Sequence, residues 1–479
     1  MTKKKSFYIT TTIPYVNADP HIGFALELVQ SDAIARYQRL LEKDVFFSTG
    51  TDEYGQKIWE ASQKEGKNVQ DYVDYYAQKF LELKNLLNLS YDNFIRTTSK
   101  EHIIAAQEFW RICDKKGDIY KKIYRGLYCV GCEKFITDKD LMDGFCSLHP
   151  DKKPEMVEEE NYFFKLTNYK KQLLEYLSKE KVIFPEWRRQ EAINFVEDGM
   201  EDFSISRDKK RFSWGIPILG DDTQVMYVWF GAFINYISTL GWPNSKGVFE
   251  KFWVEGEKVQ TAGKDMVKFQ SVMWQGMLMS AGFPATDTIV YHGFITGEGG
   301  IKMSKSLGNG INTNDIVKEY GTDALRYFLL REISPFEDSP FTMERFKEVY
   351  NANLANGLGN LSSRILTLSE KYLNKCPEIP EKSDFTEYFS FFDKFDIKQA
   401  VDYIWNEIGE LDRFIQETEP YKVIKVDKEK GQKLISNMVL RLYQIAGMLD
   451  PIIPATNVLL KKLIRENKKP EHPLFPRKD

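Results

Sequence analysis

The chain has 479 residues, 42% hydrophobic and 14% aromatic, which supports several packed cores and is too much for one. A net charge of −4 excludes a general attraction to nucleic acid. Any RNA contact must then come from local basic patches: residues 207–211, or the run Lys461, Lys462, Arg465, Lys468 and Lys469. Taken alone, both patches read as solvated surface. No apolar run reaches the roughly 20 residues that span a bilayer, and the first six residues lack the apolar stretch of a secretory signal. The expected home is the cytoplasm, with no membrane partner.

Residues 6–13 are rich in β-branched and aromatic types and read as a strand. After a turn over 14–18, Asp19 suits an N-cap and Pro20 a first helical position, and Ile22, Leu26, Val29, Ala33 and Tyr37 continue at helical spacing. This places His21 in a first helical turn, where backbone N–H groups lack intrahelical partners and favour anions. Residues 45–48 read as a second strand ending at Thr49-Gly50-Thr51-Asp52, and 57–118 as helical, with Trp59, Tyr72, Phe80 and Leu83 packed. An insert occupies about 119–224, and strands return near 254–263 and 288–294. The alternation predicts an α/β fold: a parallel sheet with helices on both faces and a site beyond the strand C-terminal ends. From about 343, amphipathic helical spacing predicts an all-α helical bundle. Residues 470–479 are Pro-rich and are expected to run over the surface.

Five Cys, an odd number, argue against a disulfide framework. Within the insert, Cys129-x2-Cys132 is followed after thirteen residues by Cys146-x2-His149. Four such ligands match a tetrahedral zinc site, and a closed Cys3His shell makes the metal structural. A redox pair at Cys129 and Cys132 is the alternative, but it leaves the second half-site unexplained.

Pro20-His21-Ile22-Gly23 fits an ordinary strand-to-helix turn and also a nucleotide cradle. Gly23 allows close approach, and His21 can donate to a phosphoryl oxygen. Lys302-Met303-Ser304-Lys305-Ser306 is more specific. It is flanked by Gly297, Gly299, Gly300, Gly308 and Gly310, so two ammonium groups on a pliant loop can swing onto a triphosphate. Trp229, Ala232, Phe233 and Tyr236 stand at helical spacing, as a core stripe or a pocket wall. Asn360 and Arg364, four apart, share a helix face.

The His21 and Lys302–Lys305 motifs together resemble the two signatures of the class I aminoacyl-tRNA synthetases. The likeness extends to the methionyl-tRNA synthetase family through Ile13-Pro14-Tyr15-Val16-Asn17, Gly50-Thr51-Asp52-Glu53, Trp214-Gly215-Ile216-Pro217, Gly263-Lys264-Asp265 and the stretch from Gly321 to Tyr327. It covers essentially the whole chain. The resemblance implies a Rossmann-like catalytic domain in two halves (1–118 and 225–300), a connective insert with a zinc knuckle (119–224), a stem-contact region with the lysine loop (301–342) and an anticodon-binding bundle (343–479). The activity it implies is ligation of methionine to tRNA(Met), including the initiator, through a methionyl-adenylate, with magnesium accompanying ATP.

The residues carried over fall into three groups. His21, Gly23, Phe24, Gly263, Asp265, His292, Gly293, Lys302 and Lys305 are expected at ATP, with His21, Lys302 and Lys305 catalytic. Methionine is expected among Ile13, Tyr15, Asp52, Trp229, Ala232, Phe233, Tyr236, Met266, Gln270 and Trp274, with Asp52 meeting its ammonium. Asn360, Arg364 and Tyr421 are expected at the anticodon. The chain departs from the family pattern at Phe24 and Gln270 (usually His), Tyr54 (usually His), Gly231 (usually Asp) and Tyr421 (usually Trp). A monomer is expected. A sibling class I synthetase and a non-catalytic tRNA-binding paralogue are the competing readings.

Overall fold

The computed structural model describes residues 5–130, 134–136, 140–147, 153–211, 213–300, 311–380 and 384–479. The chain divides into two compact units. One comprises 1–20, 43–84 and 91–291, the other 21–42, 85–90 and 292–479. Among the described residues no helix is long and apolar enough to cross a membrane.

The first unit is built on a six-stranded sheet in the order Asn93–Arg96, Asp44–Thr51, Ser6–Thr10, Glu257–Gly263, Thr288–His292, Ile183–Phe184. The registered pairings are parallel: Phe7 opposite Val45 and Glu257, Gly50 opposite Ile95, Val290 opposite Phe184. Phe7, Tyr8, Ile9 and Phe47 are buried, as the near-continuous apolar runs of a doubly covered parallel sheet require. The core beside it is aromatic. Phe109 meets Phe230, Trp242 and Trp274 at centroid distances of 6.1, 6.2 and 5.9 Å, within the range where ring edges and faces attract.

The parallel sheet follows the sequence expectation, with two differences. Residues 57–118, read as helical, contain the strand Asn93–Arg96 between the helices Val69–Leu86 and Lys100–Lys115. Four residues are too short a run for periodicity to register. Ile183–Phe184, from within the segment read as the insert, adds to the sheet edge.

Much of the insert is antiparallel. Ile119–Cys129 pairs with Glu155–Phe164 over ten residue pairs, flanked by Lys134–Ile136 and Phe203–Ser204. Arg207, the first member of one basic patch, is buried rather than solvated. Its guanidinium lies 3.9 Å from the Tyr227 ring centroid and donates to Ser204 Oγ and Ser206 O at 2.9 and 2.7 Å. Arg211 pairs with Glu159 at 3.0 Å. Cation–π stacking and these bonds occupy Arg207 and Arg211, while Lys209 and Lys210 stay exposed.

The second unit is helical. Its first helix, Ile22–Leu40, is capped not by Asp19 but by His21, whose Nδ1 accepts from the Gly23 N–H at 3.1 Å. In the first unit, Asp19 instead accepts from Lys79 Nζ at 2.5 Å. Within the second unit, Asp32 on this helix and Arg326 on Thr322–Arg331 form a fully buried ion pair at 2.8 Å. Arg326 also donates to the carbonyls of Leu87, Pro451 and Ile452, while Asp32 accepts from Arg36 and from the Ser90 N–H and hydroxyl. Every strong donor here has an acceptor, the condition under which a buried pair is tolerated. The long amphipathic helices Asn360–Tyr372, Ile397–Thr418, Lys428–Met448 and Pro454–Glu466 follow. The Pro-rich tail has no regular structure and is anchored: Phe475 is buried, and Asn351 exchanges two hydrogen bonds with Lys478.

Candidate active site

In the first unit, the segment after strand Ser6–Thr10 runs beside the end of Asp44–Thr51. The Asp52 N–H donates to Pro14 O at 2.9 Å and the Val16 N–H to Asp52 O at 3.3 Å, a one-residue parallel bridge that sets Tyr15 next to Asp52. From Tyr15 the rings continue as a chain. Trp229 meets Tyr15 edge-on at 6.4 Å, and Phe233 follows at 6.1 Å. Trp274 stacks on Phe233 at 5.8 Å and meets Tyr236 at 5.7 Å. The Tyr236 hydroxyl donates to Gln270 Oε1 at 3.1 Å, and the Tyr8 hydroxyl to the Tyr236 carbonyl at 2.7 Å. Six of the ten residues expected at methionine are thus joined in one wall. Asp52 bridges to it at Tyr15, Ala232 lies on the helix Val228–Phe233, Met266 packs at the margin of the same core, and Ile13 is partly exposed two residues before Tyr15.

The wall is not self-satisfied. Trp229 Nε1, Trp274 Nε1 and Gln270 Nε2 are buried donors without a partner among the described residues, the kind of group that a bound ligand or water satisfies. Sequence reasoning missed Phe269, which stacks on Trp229 at 4.3 Å. It also missed the clamp behind Asp52. Buried Glu53 takes Arg96 Nε and Nη2 at 2.7 and 2.8 Å and the Thr51 hydroxyl at 2.7 Å, and it also accepts from Thr98. Trp214 Nε1 donates to the Glu53 carbonyl at 2.6 Å and its ring lies 5.2 Å from Tyr54. Burial, then the carboxylates of Glu53 and Asp52, push the Tyr54 hydroxyl up to about 12, so it stays protonated. Gly263 and exposed Asp265 sit where strand Glu257–Gly263 ends in the turn Lys264–Met266.

In the second unit, His21 is exposed at the mouth of Ile22–Leu40. Because its Nδ1 accepts from Gly23, a neutral ring carries its proton on Nε2. Phe24 is buried. His292 is buried too, with Nε2 2.9 Å from Glu27 on the same helix as His21. Gly293 lies against the 337–338 backbone, where a Cβ would fall 2.1 Å from the Glu337 carbonyl carbon. Gly299 and Gly300 take left-handed φ of 71° and 78°, which favours glycine. Lys302 and Lys305 lie outside the described residues.

Elsewhere, Cys129 and Cys146 are buried thiols sharing one small cluster with Ile136. Cys132 and His149 lie outside the described residues, and among the described ones no three metal-ligating side chains gather. Asn360 is exposed, and Arg364 pairs with Asp412 at 2.7 Å. Tyr421 is 41% exposed on a different helix, Pro420–Val426. In the second basic patch, Arg465 donates to the Tyr443 hydroxyl at 2.7 Å and Lys461 lies 5.7 Å from the same ring.

Residues 7–149 and 137–366 match the family described as tRNA synthetases class I (M). The sheet and the motifs thus define a class I aminoacyl-tRNA synthetase. The chain is 38% identical to the methionine–tRNA ligase of Thermotoga maritima, covering 97% of this chain and 76% of that one. It is 37% identical to that of Nostoc sp., covering 94% and 88%. Its fold matches Mycobacterium tuberculosis methionyl-tRNA synthetase in complex with methionyl-adenylate at a TM-score of 0.89 and 34% identity, over 95% and 93% of the two chains. The chain belongs to the methionyl-tRNA synthetases, and its activity is the ATP-dependent joining of methionine to tRNA.

Proposed function

We propose that the aromatic wall from Tyr15 to Trp274 holds the methionine side chain, that Asp52 meets the substrate ammonium, and that His21 and Gly23 with Lys302 and Lys305 hold ATP. The observation that carries this reading is the unbroken run of ring contacts beside a buried carboxylate. A thioether gains from ring contacts through its polarizable sulfur, and the unsatisfied donors of Trp229, Trp274 and Gln270 supply weak hydrogen bonds that a purely hydrocarbon side chain would leave unmet.

A carboxylate oxygen of methionine attacks the α-phosphorus of ATP, the bond to the β-phosphate bridge breaks, and pyrophosphate leaves from methionyl-adenylate. No enzyme nucleophile is required; positioning and charge stabilisation suffice. The terminal 2′-hydroxyl of the tRNA then attacks the acyl carbon and AMP departs. His21 Nε2–H is the donor to phosphate, Lys302 and Lys305 stabilise the departing pyrophosphate, and Phe24, Gly263, Asp265, His292 and Gly293 are the other residues assigned to ATP. Magnesium enters with ATP as part of the substrate.

Cys129, Cys132, Cys146 and His149 would hold zinc, and two buried thiols in one small apolar cluster suit that donor set. The metal would fix the fold of the insert and take no part in the reaction. Asn360, Arg364 and Tyr421 read the anticodon of tRNA(Met), elongator and initiator alike, from the bundle. The five-part division at 118, 224, 300 and 342, a monomeric state and a cytoplasmic location complete the reading.

Lys305→Ala is expected to slow adenylate formation by roughly 10²–10³ with little loss of methionine affinity. Near-normal single-turnover rates in that variant would contradict the assignment. In ATP–pyrophosphate exchange over twenty amino acids, methionine alone should respond.

A further inference from the structure

Glu27, the partner of His292, lies outside every role assigned so far. Glu27 is 4% exposed and His292 6%. His292 Nδ1 lies 2.7 Å from the Gly293 carbonyl oxygen and Nε2 lies 2.9 Å from Glu27 Oε2. A carbonyl only accepts, so Nδ1 bears hydrogen. One proton lies between Nε2 and Glu27 Oε2. With that proton on nitrogen, both ring nitrogens are protonated and the pair is an imidazolium facing a carboxylate.

We propose that Glu27 is a positioning residue of adenylate formation: by holding His292 as an imidazolium it ties the segment 292–296 to the helix that carries His21 and Gly23. Glu27 stands four residues after Gly23, on the same face of Ile22–Leu40. The segment is gripped from its other side as well. The Phe294 N–H donates to Asp338 Oδ1 at 2.9 Å, Ile295–Thr296 pairs in parallel with Ser339–Pro340, and Gly293 admits no side chain against Glu337. Residues 301–310, with both lysines, follow directly. Removing the Glu27 charge would take the carboxylate away from Nε2, and the buried imidazolium would shed a proton and loosen this link to the helix.

The inference rests on the assignment of ATP to His21 and Gly23. It is tested on the full chain labelled with 15N-histidine, with the His292 ring signals identified by their loss in His292→Asn. At pH 7.5 the wild-type ring should show two protonated nitrogens, and Glu27→Gln should show the neutral ring. In Glu27→Gln, methionine-dependent ATP–pyrophosphate exchange should fall about tenfold or more in kcat, with the KM for methionine within about twofold and partial recovery in Glu27→Asp. A neutral His292 ring in the wild-type protein overturns the proposal even if no variant folds, as does an unaltered exchange rate in a folded Glu27→Gln. Absence of exchange in the wild type would instead sink the assignment of ATP to His21 and Gly23.

Discussion

The aromatic wall of the first unit holds buried polar atoms, as the fully buried Asp32–Arg326 node of the second does, and the two are finished to different degrees. Around Asp32 and Arg326 each strong donor meets an acceptor. In the wall, two indole N–H groups and one amide have none among the described residues. Burial alone would raise the Asp32 carboxyl, but Arg326 and Arg36 hold it below the ordinary range, so the charge persists. A polar site completed by the chain itself stabilises the fold; one left incomplete keeps free energy for a ligand.

The strongest way to break this contrast is Arg326→Leu. It removes the fully buried counter-charge of Asp32, leaving Arg36 and Ser90, and should lower unfolding stability by about 3–5 kcal/mol in urea titrations. A loss below about 1 kcal/mol would remove the node from the stability account.

His102 tests the first unit at almost the same scale. It is fully buried, and desolvation pushes its ring down to about 4, with Nδ1 paired to Ser238 Oγ at 2.9 Å. A base depressed in the folded state takes up its proton first in the unfolded chain. Its contribution is therefore intact above the unfolded value near 6.5 and is lost as pH falls toward 4, by about 3 kcal/mol in all. Urea midpoints for wild type should fall over that window, and His102→Gln should flatten that part of the slope.

Two smaller effects should appear in binding, not stability. Tyr421→Ala removes an exposed ring from the second unit, and tRNA affinity should fall by about 1–3 kcal/mol, the worth of stacking one base, with pyrophosphate exchange unchanged. Trp229→Phe keeps the stack on Phe269 and deletes one unmatched N–H. Melting temperature should hold while the KM for methionine rises about fivefold, or about 1 kcal/mol. If Trp229→Phe instead lowers stability and spares KM, the indole serves the core and the contrast collapses.

Legibility in sequence followed how local the chemistry is. The His21 turn, the Lys302–Lys305 loop and the cysteine spacing stand out in sequence because each packs its chemistry into a few adjacent residues; of these only the His21 turn lies wholly among the described residues. The sheet could be read from its apolar strands, apart from Asn93–Arg96, which is too short, and Ile183–Phe184, which comes from a distant segment. The cap at His21 was missed because histidine is a rare cap and Asp19 a common one; Lys79 draws Asp19 away. Arg207 looked like surface because nothing nearby in sequence announces Tyr227, twenty residues on, as its partner. Phe269, the Glu53–Arg96 clamp and the Glu27–His292 pair lay beyond reach for the same reason: separations of 40, 43 and 265 residues are closed only by the fold.

Gly50 carries one further consequence. A methyl group there would fall 2.0 Å from the Ile95 carbonyl oxygen across the sheet, so no substitution is admitted without parting two strands. Asp52 follows two residues later, its N–H pinned to Pro14. The location of that carboxylate is therefore inherited from main-chain contacts on either side, and side chains of the neighbouring aromatic wall can change while the charge stays where it is.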